Sequence, residues 1–310
     1  MKTKKRKVIG WSFVIPASIM IVIFNFVPMI QSFILSLKRG SGTNMTFIGL
    51  SNYKRMFQDK IFKMTLSNTF IYLILEVAIM LVMAMFLASL LNDKRLKGKW
   101  FFRLAIFLPC TTSLVSYSII FRSLFSVDGF INTILTNLHL IASPINWLGN
   151  TWTARIVIVL ALLWRWTGYN MIFFLAALQN IDSSVYEAAV VDGANAFQKF
   201  TRITIPMLRP TILLTAIMST NGTLQLFDES MNITNGGPAN TSMTISHYIY
   251  NLSFAGNPNF GYASAISYVV FILVAILAFI QMKVGDDIVN IGLHFFLKNV
   301  RPYAASCSEA

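Results

Sequence analysis

The sequence predicts an all-α integral membrane protein, and three observations lead to that prediction. The 310 residues are 55% hydrophobic and only 12% charged, whereas soluble chains carry about 25% charged residues. The apolar residues fall in runs of about 20, the length that crosses a hydrocarbon core of about 30 Å. The formal charge of +13 fits the retention of basic residues beside membrane spans. Because no basic stripe is interleaved with aromatic residues, we expect no nucleic-acid partner.

Six apolar runs predict six transmembrane helices. They lie near residues 11–37, 66–91, 103–126, 153–179, 207–229 and 261–283. A basic segment precedes the first run, as in a signal peptide, but this run is too long and has no small-x-small cleavage site. It also contains Pro16 and Pro28. We therefore expect it to be retained as the first span.

The distribution of basic residues predicts a multi-pass membrane protein with both termini in the cytoplasm. Segment 1–10 and the 92–103 loop hold five lysines and arginines each, and the 180–209 loop holds three. The loops at 127–152 and 230–260 hold none. This alternation follows the positive-inside rule for a six-span chain.

One loop contradicts the rule. Residues 38–65 hold six basic residues, yet six spans place them outside, so either stronger signals override this loop or the first span is wrong. We keep six spans, because a shift would put the two uncharged loops inside. The weakly amphipathic segment from Asn52 to Met64 is expected to lie along the outer interface.

The tail at 284–310 is predicted to leave the membrane. Gly285-Asp286-Asp287 is expected to break the last span, and the apolar stretch at 288–297 is too short for a seventh span. We assign no role to this tail.

The sequence shows no catalytic, metal or cofactor site. The histidines at 139, 247 and 294 lie in different segments, and no phosphate-binding loop of the form Gly-x-x-x-x-Gly-Lys-[Ser/Thr] occurs. We therefore expect a chain that has no cofactor and does not hydrolyse ATP itself.

A capped helical hairpin is predicted at residues 184–206. Ser184-x-x-Glu187 has the spacing of a capping box, and Gly193 can take the left-handed conformation that ends a helix. A second helix is expected from Asn195, with Phe197, Phe200 and Ile203 recurring every three residues until Pro206 stops it. This ordered loop between two spans suggests a docking surface.

The same stretch carries a family pattern. Glu187-Ala188-Ala189-x-x-x-Gly193, nine residues and then Ile203-x-Ile205-Pro206 resembles the EAA loop of ATP-binding-cassette importer permeases. That loop reads Glu-Ala-Ala-x-x-x-Gly, nine residues, then Ile-x-Leu-Pro, so only Ile205 departs from it. The likeness covers residues 10–283, and the tail matches nothing in the family.

Further motifs resemble the carbohydrate branch of these permeases. They are Phe47-Ile48-Gly49-Leu50-x-Asn52-Tyr53, Trp164-x-Trp166-x-Gly168-Tyr169-Asn170, and Gln225-x-Phe227-Asp228 followed by Thr234-x-Gly236-Gly237-Pro238. The resemblance implies a type I importer permease fold with six transmembrane helices and a cytoplasmic helix-turn-helix coupling loop.

The resemblance also implies a prokaryotic cell (inner or plasma) membrane as the location, and partners embedded in or attached to that lipid membrane. They are a second homologous permease, expected to form a heterodimer, two ATPase subunits that hydrolyse the ATP, and an external solute-binding protein. The residues implied to couple this chain to the ATPase are Glu187, Ala188, Ala189, Asp192, Gly193, Ile203 and Pro206.

Polar residues within the spans are the candidates for a sugar pathway, because polar groups in a membrane usually face a cavity. We single out Asn221, Thr223, Gln225 and Asp228 in span 5, Trp166 and Asn170 in span 4, and Cys110 and Ser113 in span 3. In maltose-type permeases the solute is held at positions that match Cys110, Leu114, Gly168, Gly222 and Thr223 here. The serines and threonines could instead bond their own helix, the tryptophans could pack between helices, and Asp228 could cap or pair.

Glu76 is an acid deep in span 2. An ionisable group there is a functional candidate, although Arg122 or Arg165 could pair with it for helix packing.

The predicted cargo is a di- or oligosaccharide. Anionic solutes would require pore-facing arginine or lysine and polyamines several acids, and spans 3 to 5 offer neither in number. Another neutral solute or glycerol phosphate is the alternative, and a membrane enzyme or scaffold is a more distant one.

Overall fold

The structure is a computed structural model that describes residues 2–40, 45–93 and 95–306. The end of the predicted tail, residues 307–310, lies outside the described residues. The chain divides into two compact units, one formed by residues 1–63 and 248–272 and the other by residues 64–247 and 273–310. Each unit is described separately below.

The described elements are almost entirely helical. The two short strands are β1 (Lys38–Arg39) and β2 (Thr46–Phe47). The helices are α1 (Lys2–Ile21), α2 (Val27–Ser36), α3 (Ser51–Gln58), α4 (Lys60–Asn92), α5 (Lys99–Phe107), α6 (Leu114–Leu124), α7 (Phe130–Asn137), α8 (Thr151–Gln179), α9 (Ser183–Val191), α10 (Ala196–Lys199), α11 (Ile205–Met207), α12 (Arg209–Leu224), α13 (Ile245–Phe254) and α14 (Phe260–Ser306).

Four helical segments among the described residues are long and apolar enough to cross a membrane. They are Trp11–Ser36, Lys60–Asn92, Thr151–Gln179 and Phe260–Gly285. Two further pairs pass the same test together but are bent, by 100° between Lys99–Thr111 and Leu114–Leu124 and by 69° between Ala196–Met207 and Arg209–Leu224. The four single segments overlap predicted spans, as do Lys99–Thr111, Leu114–Leu124 and Arg209–Leu224, whereas Ala196–Met207 lies in the predicted coupling loop. The count reaches six if each bent pair is one span.

In the first unit, Asn52 and Tyr53 fasten α3 to the end of α2. The Asn52 amide donates to the carbonyls of Ser36 and Lys38 at 2.8 and 2.9 Å, and the Tyr53 and Ser36 hydroxyls lie 2.8 Å apart. Lys38 also pairs with Phe47 in the antiparallel β1–β2 ladder. The predicted amphipathic segment 52–64 is therefore divided between α3, which buries Asn52 and Met56, and the start of α4.

In the second unit, α8 is the central helix, since 15 of its 29 residues are buried. The N-terminal half of α8 packs in a cluster with Tyr72, Tyr117 and Leu226. The C-terminal half packs in a second cluster with Met85 and Leu208. Gly168 brings α8 against α5, because a Cβ at this position would lie 1.8 Å from the Ile106 carbonyl oxygen. Small residues permit such close approach between helices in a membrane.

Two predicted helix ends are wrong. The last helix does not break at Gly285 but continues to Ser306; glycine costs a helix only about 1 kcal/mol relative to alanine, and this glycine packs on Leu213. The fifth span was expected to reach residue 229, but α12 ends at Leu224. Just beyond that end, the Leu226 carbonyl accepts the Thr244 hydroxyl at 2.6 Å, a long-range bond that the local sequence does not reveal.

Candidate functional site

The helical hairpin predicted at residues 184–206, hereafter the coupling hairpin, begins with an N-cap that differs from the predicted one. Asp182, and not Ser184, is the N-cap of α9, and its Oδ1 accepts the Ser184 backbone N–H at 2.9 Å. This bond and one from the Ser184 hydroxyl lower the pKa of the Asp182 carboxyl. The predicted Ser184–Glu187 capping box is therefore wrong, because the N-cap lies two residues earlier, at Asp182.

The end of α9 is as predicted. Gly193 has φ +74° and follows Asp192, the C-cap. Its N–H donates to the Val190 carbonyl at 3.1 Å, and the Ala194 N–H donates to the Ala189 carbonyl at 2.9 Å. These two bonds form a Schellman motif, so glycine supplies the turn between the two helices.

The second helix starts at the predicted residue but ends differently. Asn195 and Gln198 form a reciprocal capping box, with bonds of 2.8 and 2.9 Å. The helix then widens into a π-turn from Phe200 to Thr204 and includes Pro206 in α11. Proline was expected to stop the helix because it lacks an N–H, yet the helix passes through it and ends at Met207.

The exposed surface of the hairpin is largely apolar. Val190, Val191 and Phe197 are 59%, 87% and 75% exposed, and Glu187, Ala188, Asp192 and Gly193 are exposed beside them. Ala189 is buried, while Ile203 and Pro206 are half-buried. The Tyr186 and Thr204 hydroxyls, 3.0 Å apart, hold the two halves together. Apolar side chains clustered on an exposed turn are typical of a binding surface.

A cavity of about 290 Å³ lies among α4, α6, α8 and α12 in the second unit. Its walls include five of the predicted pathway residues, namely Trp166, Asn170, Thr223, Gln225 and Asp228. Leu114 and Gly222, two of the positions implied by the maltose-type resemblance, also line it. The structure thus brings together residues from three predicted spans.

Three predicted pathway residues do not line this cavity. Asn221 is exposed and accepts a bond from the Gln225 amide at 2.7 Å. Cys110 lies half-buried in a 3-10 turn, and Ser113 is exposed at the start of α6. Gly168, which the resemblance also placed at the solute, packs on α5 instead. Cys110 and Ser113 lie at the 100° bend between Lys99–Thr111 and Leu114–Leu124, and composition does not show that bend. Asn221 lies two residues before Thr223 in α12 and so faces another direction.

Two buried carboxylates also line the cavity. Glu76 accepts the Thr223 hydroxyl at 2.9 Å, and Glu229 accepts the Tyr117 hydroxyl. The suggested pairing of Glu76 with Arg122 or Arg165 is not what the structure has, since Arg165 donates to the Thr112 carbonyl at 2.6 Å. Each carboxylate has acceptor positions beyond the one that these hydroxyls use.

Sequence reasoning missed Glu229, Tyr169 and Phe227, which complete the cavity wall. The available signal was the Asp228-Glu229 pair at the end of an apolar run, where two adjacent acids are costly in a membrane. Within the described residues, no three histidine, cysteine or acidic side chains converge as metal ligands would.

Comparisons with known proteins agree with this architecture. The family model described as "Binding-protein-dependent transport system inner membrane component" matches residues 80–285, more than half of the chain. A lactose transport system permease protein from Rhizobium radiobacter is 50% identical over 280 residues, which cover 90% of this chain and 94% of that protein. An arabinooligosaccharides transport system permease protein from Halalkalibacterium halodurans is 34% identical and covers 91% of both chains.

A solved structure shares the fold. It is a bacterial alginate ABC transporter in complex with an alginate pentasaccharide-bound periplasmic protein, with a TM-score of 0.80 and 25% identity over 90% of this chain and 94% of that one. The resemblance to importer permeases is confirmed. This chain therefore belongs to the family of inner membrane components of binding-protein-dependent transport systems.

Proposed function

We propose that this chain is a permease subunit of an ATP-driven importer for a neutral di- or oligosaccharide. The main support for this function is the cavity among α4, α6, α8 and α12, whose walls combine aromatic, amide and carboxylate groups. The relatives support this cargo, since they are named for lactose and arabinooligosaccharide transport. The similar solved transporter, named for alginate, supports a saccharide cargo but not its neutrality.

The cavity chemistry suits hydroxyl-rich solutes. Trp166 and Tyr169 pack edge to face with centroids 5.8 Å apart and offer apolar surface beside polar groups. Glu76 and Glu229 accept hydrogen bonds from hydroxyls, so a sugar hydroxyl can take the same role as Thr223 or Tyr117. No lysine or arginine is among the described residues that line the cavity. The Glu76 and Glu229 carboxylates disfavour the binding of an anionic solute, which argues against glycerol phosphate as the cargo.

The exposed surface of the coupling hairpin is proposed to dock on a separate ATPase subunit. Val190, Val191 and Phe197 would be buried there, and Ala188 would allow close approach. A second permease completes the pore and an external binding protein delivers the sugar. In this arrangement both termini lie in the cytoplasm, and the chain transmits motion without binding ATP.

Sugar uptake by the reconstituted importer tests this function. In proteoliposomes that contain the binding protein, partner permease and ATPase, we expect ATP-dependent uptake of labelled lactose or an arabinooligosaccharide. Glu187→Ala should abolish uptake and weaken co-purification of the ATPase, while membrane insertion is unchanged. Asp128→Asn, an exposed acid far from the hairpin in sequence, is the matched control and should transport normally.

Two results would contradict the proposal. Normal uptake by Glu187→Ala would remove the coupling role of the hairpin. Uptake of glycerol phosphate but of no neutral sugar would overturn the assigned cargo.

A further inference from the structure

A second, larger concavity adjoins the coupling hairpin. This groove of about 1060 Å³ lies between the α4–α5 loop and the hairpin, and it shares no lining residue with the sugar cavity. Arg95, Lys99 and Arg103 line one side, and Glu187 and Lys199 line the other. Glu187 and Val190 belong both to this groove and to the surface that we propose docks on the ATPase, whereas Arg95, Lys99 and Arg103 have no part in that docking.

The groove has an excess of positive charge. Among the described residues that line it, four are basic (Arg95, Lys99, Arg103 and Lys199) and two, Asp93 and Glu187, are acidic. Asp93 is already engaged, because its Oδ1 accepts the Arg95 backbone N–H at 2.9 Å. Cations gathered in one concavity repel one another and concentrate anions there.

Arg103 supplies a separate indication of a ligand. Its Nη2 donates to the Leu91 carbonyl at 3.0 Å. Its Nε is buried and has no hydrogen-bond partner among the described residues. Buried donors are normally paired with protein, water or a bound ion. The Arg103 Nε–H can therefore donate a hydrogen bond to an acceptor atom of a bound ligand.

The groove also has an apolar part beside its polar residues. Leu178, Ile181 and Phe200 line the groove next to its cations. Such a surface accepts a hydrocarbon group attached to an anion, and basic pockets beside helix ends bind phospholipid headgroups.

We propose that this groove binds a phosphate group. Several cations that converge from two sides suit the oxygens of a phosphate, which arginine and lysine both recognise. Arg95, Lys99 and Lys199 contact the oxygens, and Arg103 provides the buried donor. The phosphate belongs either to a phospholipid headgroup or to a soluble phosphate ester. The inference does not depend on which sugar is transported.

Calorimetric titration of the importer, purified with its partner subunits in detergent, tests the site. The probes are dihexanoyl phosphatidylglycerol, dihexanoyl phosphatidylcholine and sn-glycerol 3-phosphate. We expect saturable binding of at least one anionic probe, weakened about fivefold by Arg95→Gln and roughly 25-fold by Arg95→Gln with Lys99→Gln. Phosphatidylglycerol binding alone identifies a lipid ligand, whereas glycerol phosphate binding identifies a soluble one.

Lys97→Gln is the matched control. Lys97 is an exposed cation of the same loop but does not line the groove, so its removal should leave the affinity within about twofold. Because the Arg95 side chain is exposed, the single variant should fold normally, and equal unfolding temperatures would verify this. The proposal is overturned if neither anionic probe saturates, if phosphatidylcholine binds as tightly, or if Lys97→Gln weakens binding as much as Arg95→Gln.

Discussion

At the scale of single residues, Asp59 joins three helices of the first unit. Its Oδ1 accepts the Ile61 backbone N–H at 2.8 Å at the start of α4, and its Oδ2 accepts the Tyr248 and Tyr262 hydroxyls at 2.7 Å each. Partial burial raises the pKa of this carboxyl, but the bonds from Tyr248, Tyr262, Phe62 and Ile61 outweigh burial and lower it below 3.8.

This lowered pKa makes a pH-dependent prediction. Because the folded-state pKa lies below the unfolded one, the stabilisation is fully present above pH 3.8 and is lost as the pH falls through the folded pKa. At neutral pH, Asp59→Asn should lower the free energy of unfolding by about 1–3 kcal/mol, the usual worth of hydrogen bonds to a charged group. Denaturant unfolding of the purified protein at several pH values measures this.

The control for Asp59 is Asp128→Asn, an exposed carboxyl whose removal should matter little at any pH. The stability difference between wild type and Asp59→Asn should shrink toward zero as the pH drops below 3.8. A difference that stays constant with pH would show that the carboxylate charge is not what stabilises this contact.

At the same scale, the sequence left two alternatives for Glu76, a functional role or helix packing with Arg122 or Arg165. The structure pairs Glu76 with Thr223, which lies 147 positions away. Charge alone could not reveal a hydroxyl partner brought close by helix packing.

At the scale of elements, Gly168 sets how closely α8 approaches α5. Any Cβ here would collide with the Ile106 carbonyl oxygen at 1.8 Å, so Gly168→Ala must push the two helices apart. We expect a loss of about 1–3 kcal/mol, as overpacked sites show, together with a lower thermal unfolding midpoint in detergent.

Gly222→Ala is the matched comparison for Gly168→Ala. It lies on α12 with no atom within 4 Å of an added Cβ, so its unfolding midpoint should stay close to that of the wild type. Equal midpoints for the two variants would contradict the close α5–α8 packing.

The coupling hairpin shows which element boundaries were predictable. The end of α9 at Gly193 and the start of the next helix at Asn195 depend on bonds between residues at most five positions apart, and the sequence predicted both. The passage through Pro206 and the early end of α12 were missed. The first depends on a π-turn and the second on the distant Thr244.

At the scale of the whole molecule, membrane orientation tests the six-span topology and its one exception, the basic 38–65 loop. Single cysteines at Gln58 and Lys97, both exposed, would be placed in a variant lacking Cys110 and Cys307. With a membrane-impermeant maleimide on intact cells, Gln58→Cys should be labelled and Lys97→Cys should not. Permeabilised cells, in which both should react, provide the control.

The reverse labelling pattern would show that the basic 38–65 loop obeys the positive-inside rule and that the first span was misplaced. Labelling of both cysteines in intact cells would show that the two loops share one face of the membrane.

The sequence by itself determined the all-helical membrane class, the approximate positions of the four long apolar helices and the family pattern at Glu187 to Pro206. Hydropathy, length and local capping are properties of neighbouring residues. Only the tertiary structure decided which polar side chains share a cavity. It joined Trp166, Thr223 and Asp228 with Glu76 and Glu229, and it left Asn221, Cys110 and Ser113 outside. The physical reason differs between the two spans. Asn221 and Thr223 are two residues apart in α12 and therefore lie on different faces of one helix, whereas Cys110 and Ser113 lie at the 100° bend between two helical segments, and composition shows neither.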